Sequence, residues 1–186
     1  MVRKIAAIVL FAFILTAPAC GSSDETSTPA NDGGEATSAA SGSAEISLPD
    51  GWTMTDAISA EEVGAITGES MEAFPEAGSA AQSGRPAGSY IATGKTDAKI
   101  FFSVDVQGGE QGYEQVKEFT DPASIQEVSG VGDKAYVCTF SDGRTGIIAL
   151  KGDAVVRVDW NPSAFAADPA EFGGELAGKL LENLYQ

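Results

Sequence analysis

The chain has 186 residues, 11 of them basic, 27 acidic and none histidine, for a formal net charge of −16. A surface of that sign repels nucleic acid and anionic lipid head groups, which argues against both as direct partners. The absence of histidine removes histidine-based catalytic triads and most zinc sites, because neutral imidazole is the usual base and ligand near neutral pH.

In chain order, Arg3 and Lys4 precede an unbroken apolar run, IAAIVLFAFIL from Ile5 to Leu15. That is the charge pattern and length of a secretory signal, and it is too short for a bilayer, which takes about 20 apolar residues. Residues 1–19 are therefore expected to be a signal peptide. Its removal would take Arg3 and Lys4 with it and leave a net charge of −18. The stretch Ala17-Pro18-Ala19-Cys20-Gly21-Ser22-Ser23 resembles the lipobox of bacterial lipoproteins, small residues before a cysteine that becomes a diacylated N-terminus. The resemblance implies lipid attachment at Cys20 and an extracytoplasmic protein that meets the membrane only through that anchor. Ala17-Pro18-Ala19 also satisfies the A-x-A pattern of ordinary secretory cleavage, which would leave an unlipidated chain starting at the same Cys20. From Gly21 to Ala44 there is no large apolar residue. Such a stretch cannot bury enough surface to offset the entropy of ordering, so residues 20–45 are expected to form a disordered tether reaching roughly 25 to 30 Å.

Residues 46–186 have the length of one domain. Ile46 and Leu48 alternate as in a short edge strand before the turn Pro49-Asp50-Gly51. Ser59-Ala60-Glu61-Glu62 is a capping box, Val63 and Ile66 are three apart, and Gly68 stops the short helix that this predicts. From Glu69 to Gly88 only Met71 and Phe74 are large and apolar, and Arg85 is the one cation. This reads as an irregular segment. Long segments of that kind over a rigid sheet commonly carry recognition, which makes Met71, Phe74 and Arg85 candidate ligand contacts.

Tyr90–Thr93 and Lys99–Gln107 read as strands, the second with Ile100, Phe102, Val104 and Val106 on one face. A helix is predicted from Glu110 to Phe119, burying Tyr113, Val116 and Phe119. Lys134–Phe140, Thr145–Leu150 and Ala154–Trp160 form a meander joined by tight turns, with one packed and one wetter face. Asp168 caps a last helix that has Pro169 at its first position, with Phe172, Leu176, Leu180 and Leu184 in one stripe. Gly173, Gly174 and Gly178 in that helix would let it lie close to the sheet.

An antiparallel sheet packed with helices is an α+β fold. Leu48-Pro-Asp-Gly-Trp52, Ser59-Ala-Glu-Glu-Val63 with Gly68, and Gly130-Val-Gly-Asp-Lys-Ala-Tyr136, followed by hairpins and a Leu-rich helix, resemble small surface lipoproteins of Gram-positive, chiefly actinobacterial, bacteria. The resemblance implies a PsbP/Mog1-like sandwich of two or three layers, and it carries over no catalytic residue.

No P-loop, dinucleotide-binding turn, nucleophile elbow or EF-hand loop occurs, so no cofactor and no metal is expected. Cys138 lies among Tyr136, Val137, Thr139 and Phe140 in a strand, where an inert, partly buried thiol is expected. Asp105, Asp133 and Asp159 occupy strand or turn positions where exposed acids are ordinary. Trp52 and Trp160 could make a stacking surface for a ligand, although a large ring at a strand end is more often core. The preferred expectation is a non-enzymatic, lipid-anchored envelope module that binds a protein partner or a small ligand, or assists another surface system. Its rival is a carboxylate-dependent hydrolase of wall polysaccharide.

Overall fold

Alternating apolar residues along four strands set up both faces of the sheet in the computed structural model, which describes residues 46–74, 85–165 and 167–186. The expected signal peptide, Cys20 and the tether lie outside the described residues. The elements are helices α1 (Met54–Ala57) and α2 (Ala60–Thr67), strands β1 (Met71–Ala73), β2 (Ala87–Ala92) and β3 (Lys99–Asp105), helix α3 (Gly109–Glu118), strands β4 (Gln126–Val128), β5 (Lys134–Thr139), β6 (Thr145–Lys151) and β7 (Ala154–Trp160), and helix α4 (Pro169–Leu184). The strands form one open sheet in the order β1-β2-β3-β7-β6-β5-β4, antiparallel throughout. The fold is α+β.

Tyr90, Ile100, Phe102, Val104, Ile147, Val156, Val158 and Trp160 pack on one face against Leu176, Ala177, Leu180 and Leu181 of α4, together with Met54 and Val63 of α1 and α2. The opposite face carries a smaller cluster in which Tyr113 of α3 meets Tyr136, Cys138, Ile148, Leu150 and Val155. Helix α3 thus covers the part of the second face formed by β5, β6 and the start of β7. Along β3 the residues of that face, Phe101, Ser103 and Asp105, remain only half-buried. The wetter side expected from the meander is therefore open chiefly along β3, with half-buried Arg157 of β7 beside it.

Gly173 explains how close α4 comes, since a Cβ there would lie 2.7 Å from Trp160 Cη2 and 3.1 Å from Ile147 Cβ. A Cβ at Gly178 would meet nothing within 4 Å, so that glycine plays no such part. The Asp168 carboxylate accepts from the amides of Ala170 and Glu171 at 3.0 and 3.1 Å and starts the helix as expected.

The capping box of α2 is formed in full. Ser59 N–H donates to Glu62 Oε2 at 2.8 Å, Glu62 N–H donates to Ser59 Oγ at 3.2 Å, and Gly68 closes the helix at φ 71°. Asn183 of α4 donates to Glu62 Oε1 at 3.1 Å, so the cap also ties α2 to α4. The Ser59 amide is the largest of the influences that hold the Glu62 carboxyl below its ordinary value of 4.5. A depressed carboxylate contributes stability that is complete above the unfolded value and is lost as pH falls through the folded one. Glu62→Gln should therefore lower stability by about 1 kcal/mol at neutral pH. In thermal melts taken at decreasing pH, the gap to the unmodified chain should close below 4.5.

Four expectations need correction. Ile46 and Leu48 join no strand; both are partly buried against the main core, so their alternation reflects burial rather than a ladder. The described part of Glu69–Gly88 is not irregular, because Met71–Ala73 pairs with β2 through Met71↔Ala92 and Ala73↔Tyr90, while Ala87 and Gly88 begin β2 itself. Residues 75–84 of that stretch lie outside the described residues. Phe119, expected in the buried stripe of α3, is 84% exposed at the helix end. Asp159 is not an exposed acid, being 2% accessible.

Candidate functional site

The open part of the second face is a furrow floored by alternate residues of β3 and β7. In the register Phe101↔Asp159, Ser103↔Arg157 and Asp105↔Val155, these side chains stand in successive rows. From Lys99 to Asp105 the furrow runs about 20 Å at the usual antiparallel rise. Two hollows occupy it end to end. The larger, about 440 Å3, lies between the sheet and α3 and is lined by Arg85, Ser103, Asp105, Gln111, Gln115 and Arg157 among others. The smaller, about 210 Å3, is lined by Ser89, Asp97, Phe101, Arg144, Asp159 and Asn161 together with Lys99.

Every arginine after Arg3 lines one of these hollows, in a chain whose acids far outnumber its bases. Each is held by carboxylates. Arg157 donates through Nε to Asp159 Oδ1 at 2.8 Å and through Nη2 to Oδ2 at 2.6 Å, a forked pairing that fixes the guanidinium plane. Arg144 reaches Asp159 Oδ2 with Nη1 at 3.3 Å and Asp142 with Nε at 2.8 Å. Arg85 pairs with Asp105 at 2.8 Å. Arg157 also lies over the Phe140 ring, 4.3 Å from its centroid. Hydrogen bonding to Asp159 is the main cause that raises Arg157 above its ordinary value, so its charge is permanent.

Gly146, opposite Asp159 on β6, makes this cluster possible. A Cβ on it would lie 2.6 Å from both Asp159 Oδ1 and Phe140 Cε2. On the other bank, Gln111 and Gln115 are four apart on α3 and so project from the same side of the helix. Gly108, at the foot of α3, leaves room for the Asp105 carboxyl, since a Cβ there would be 3.1 Å from Asp105 Cγ.

Of the candidate ligand contacts read from the sequence, Arg85 alone lines the furrow and is exposed to it. Phe74 is half-buried beyond the end of β1, with Lys99 Nζ 4.4 Å from its ring centroid, so it adjoins the smaller hollow through Lys99. Met71 and Trp160 are corrected to core residues. They are 8% and 2% accessible and belong to the α4-side cluster, with Trp160 packed edge-on against Phe172 at 5.2 Å. Trp52 is half-buried against the same core. Cys20 lies outside the described residues. Burial pushes the Cys138 thiol up to about 11, which leaves it protonated and unreactive at neutral pH.

Sequence reasoning missed Arg144, Arg157, Gln111, Gln115 and Ser89. One signal was present: Arg157 and Asp159 are two apart on an otherwise apolar strand, and so must share a face. Among the described residues no group of three or more metal-ligating side chains comes together, and no helix is long and apolar enough to cross a membrane. No family model matches the chain, and no curated protein or solved structure is significantly similar to it.

Proposed function

We propose that the chain is a lipid-anchored, extracytoplasmic binding module of the cell envelope, built on a PsbP/Mog1-like α+β sandwich, and that its furrow seats an extended polar chain. The observation that carries the reading is the concentration of all the domain's arginines, pre-oriented by carboxylates, along one open groove with Gln111 and Gln115 facing them. Amide and guanidinium groups in a fixed array are suited to the hydroxyl and amide groups of an oligosaccharide, because fixed donors lose little entropy on binding. The length of the furrow favours a chain over a compact molecule. The pairing of Asp159 weighs against the rival hydrolase: both its oxygens accept guanidinium hydrogen bonds and its side chain is 1% accessible, so it is placed to orient arginines rather than to reach a substrate.

The test is a titration of the full chain, in mild detergent, with short chito-oligosaccharides, followed by the side-chain amide resonances of Gln111 and Gln115. These signals should shift, and Gln111→Ala with Gln115→Ala should weaken binding about tenfold, or 1.4 kcal/mol, at unchanged melting temperature. Turnover of the oligosaccharide abolished by a single Asp or Glu substitution would establish the hydrolase instead. Unmoved amide signals at saturating oligosaccharide would remove the furrow as its seat.

A further inference from the structure

The smaller hollow has features that the furrow as a whole does not share. Ser89 is 2% accessible, lines the hollow, and makes no side-chain hydrogen bond to any described residue. A serine in the interior of a strand packs worse than the β-branched residues favoured there. Its neighbours across the sheet are Phe101 and then Asp159, so the hydroxyl stands beside an aromatic floor and a buried charge.

The charges around the hollow are of both signs and are separated. Asp159 is committed to two arginines, and Lys99 lies over the Phe74 ring. Arg144 is fixed at Nε and Nη1 by Asp142 and Asp159, yet its side chain is 44% accessible. Asp97, in the β2–β3 turn, is exposed and forms no ion pair with any described residue. One oriented cation and one carboxylate without an ion pair to any described residue therefore line the same small space, with the Ser89 hydroxyl and the Asn161 amide as further polar groups in its lining. At about 210 Å3 the hollow is smaller than the roughly 300–1,000 Å3 typical of pockets for drug-sized ligands. It holds the volume of about seven waters, which suits a small molecule.

We infer that this hollow is a site for a small zwitterion, an α-amino acid or the free α-amino-acid group of a larger molecule. Its carboxylate accepts from Arg144, Ser89 Oγ and the Asn161 amide, its ammonium donates to Asp97, and its side chain lies on Phe101. The inference rests on the reading of this sheet face as a ligand seat, but it names a different ligand and, Arg144 apart, different residues from the oligosaccharide groove.

The experiment is a nitrogen–proton NMR titration of the full chain in mild detergent with L- and D-alanine, N-acetyl-L-alanine, L-alaninamide and inorganic phosphate. Alanine should shift the signals of Ser89, Asp97 and Asn161, and the two blocked compounds and phosphate should bind at least about tenfold more weakly. Ser89→Ala and Asp97→Asn should each weaken alanine binding about tenfold while the melting temperature is unchanged. Absence of any shift with either alanine up to about 10 mM overturns the inference. Equal binding of phosphate or N-acetylalanine also overturns it and leaves a plain anion hollow. The oligosaccharide titration separates the two readings. Shifts at Gln111 and Gln115 with no response to alanine remove the amino-acid site and keep the furrow, whereas the reverse pattern keeps the amino-acid site and removes the oligosaccharide.

Discussion

Trp160→Ala is expected to destabilise the domain by about 4 kcal/mol, a large share of the roughly 5–15 kcal/mol typical of a domain. Trp160 is 2% accessible and ends β7, paired with Ile100 on one side and Thr145 on the other. Its ring packs edge-on against Phe172 at 5.2 Å, and its far edge fills the space where a Cβ on Gly173 would be. Truncation loses the transfer free energy of the indole and leaves a cavity between the sheet and α4. The wall facing it cannot collapse easily, because the Phe172 ring is itself stacked on Phe165 at 5.2 Å. Urea denaturation followed by circular dichroism would measure the loss. If Trp160→Ala instead weakened ligand binding at unchanged stability, the indole would be a contact residue and the assignment of the two faces would be wrong.

That assignment was largely readable beforehand, because it depends on local rules. The faces of β3 and β7 follow from strict alternation, and the stripe of α4 follows from apolar residues spaced three and four apart. Ser59, Glu62, Gly68 and Asp168 mark helix ends through hydrogen bonds within a few residues, so neighbours in sequence are enough to find them. Strands β1 and β4 have three residues each and carry no periodicity to detect. Met71–Ala73 becomes a strand only because Tyr90–Ala92 lies alongside it, a pairing between segments about twenty residues apart. Helix α1 is a single turn, stabilised when Thr53 N–H donates to Asp56 at 2.7 Å, and that pattern is too common in turns to stand out.

The candidate site was harder to read for the same reason. Arg157 and Asp159 could be put on one face, but an acid on the wetter face reads as solvated until its cross-strand partner is known to be Gly146. Only that glycine, with the Phe140 ring beside it, turns the position into a pocket for a carboxylate. Gln111 and Gln115 carry no signature at all, since amides are ordinary on an exposed helix surface. Arg85 was noticed as an isolated cation in an acidic stretch, and it does line the furrow, although by pairing with Asp105 on β3 rather than by orienting a ligand beside Met71.

The Asp159 cluster should respond to substitution as a unit. Asp159→Ala is expected to cost about 3 kcal/mol, at the lower end of the range for breaking a buried pair, because Arg157 and Arg144 are 33% and 44% accessible and water can reach the stranded guanidinium groups. Arg157→Met should cost a similar amount for the opposite reason: it leaves a carboxylate that is 1% accessible with only the 3.3 Å contact from Arg144. The double variant should lose less than the sum of the two, since removing both members leaves neither charge uncompensated and methionine can still lie against Phe140. Urea denaturation of the four chains gives the coupling directly, and a value of at least about 1 kcal/mol is expected for groups in contact. Additive losses would mean that Asp159 and Arg157 are stabilised independently, and the furrow would then lack the fixed arginines on which its proposed role depends.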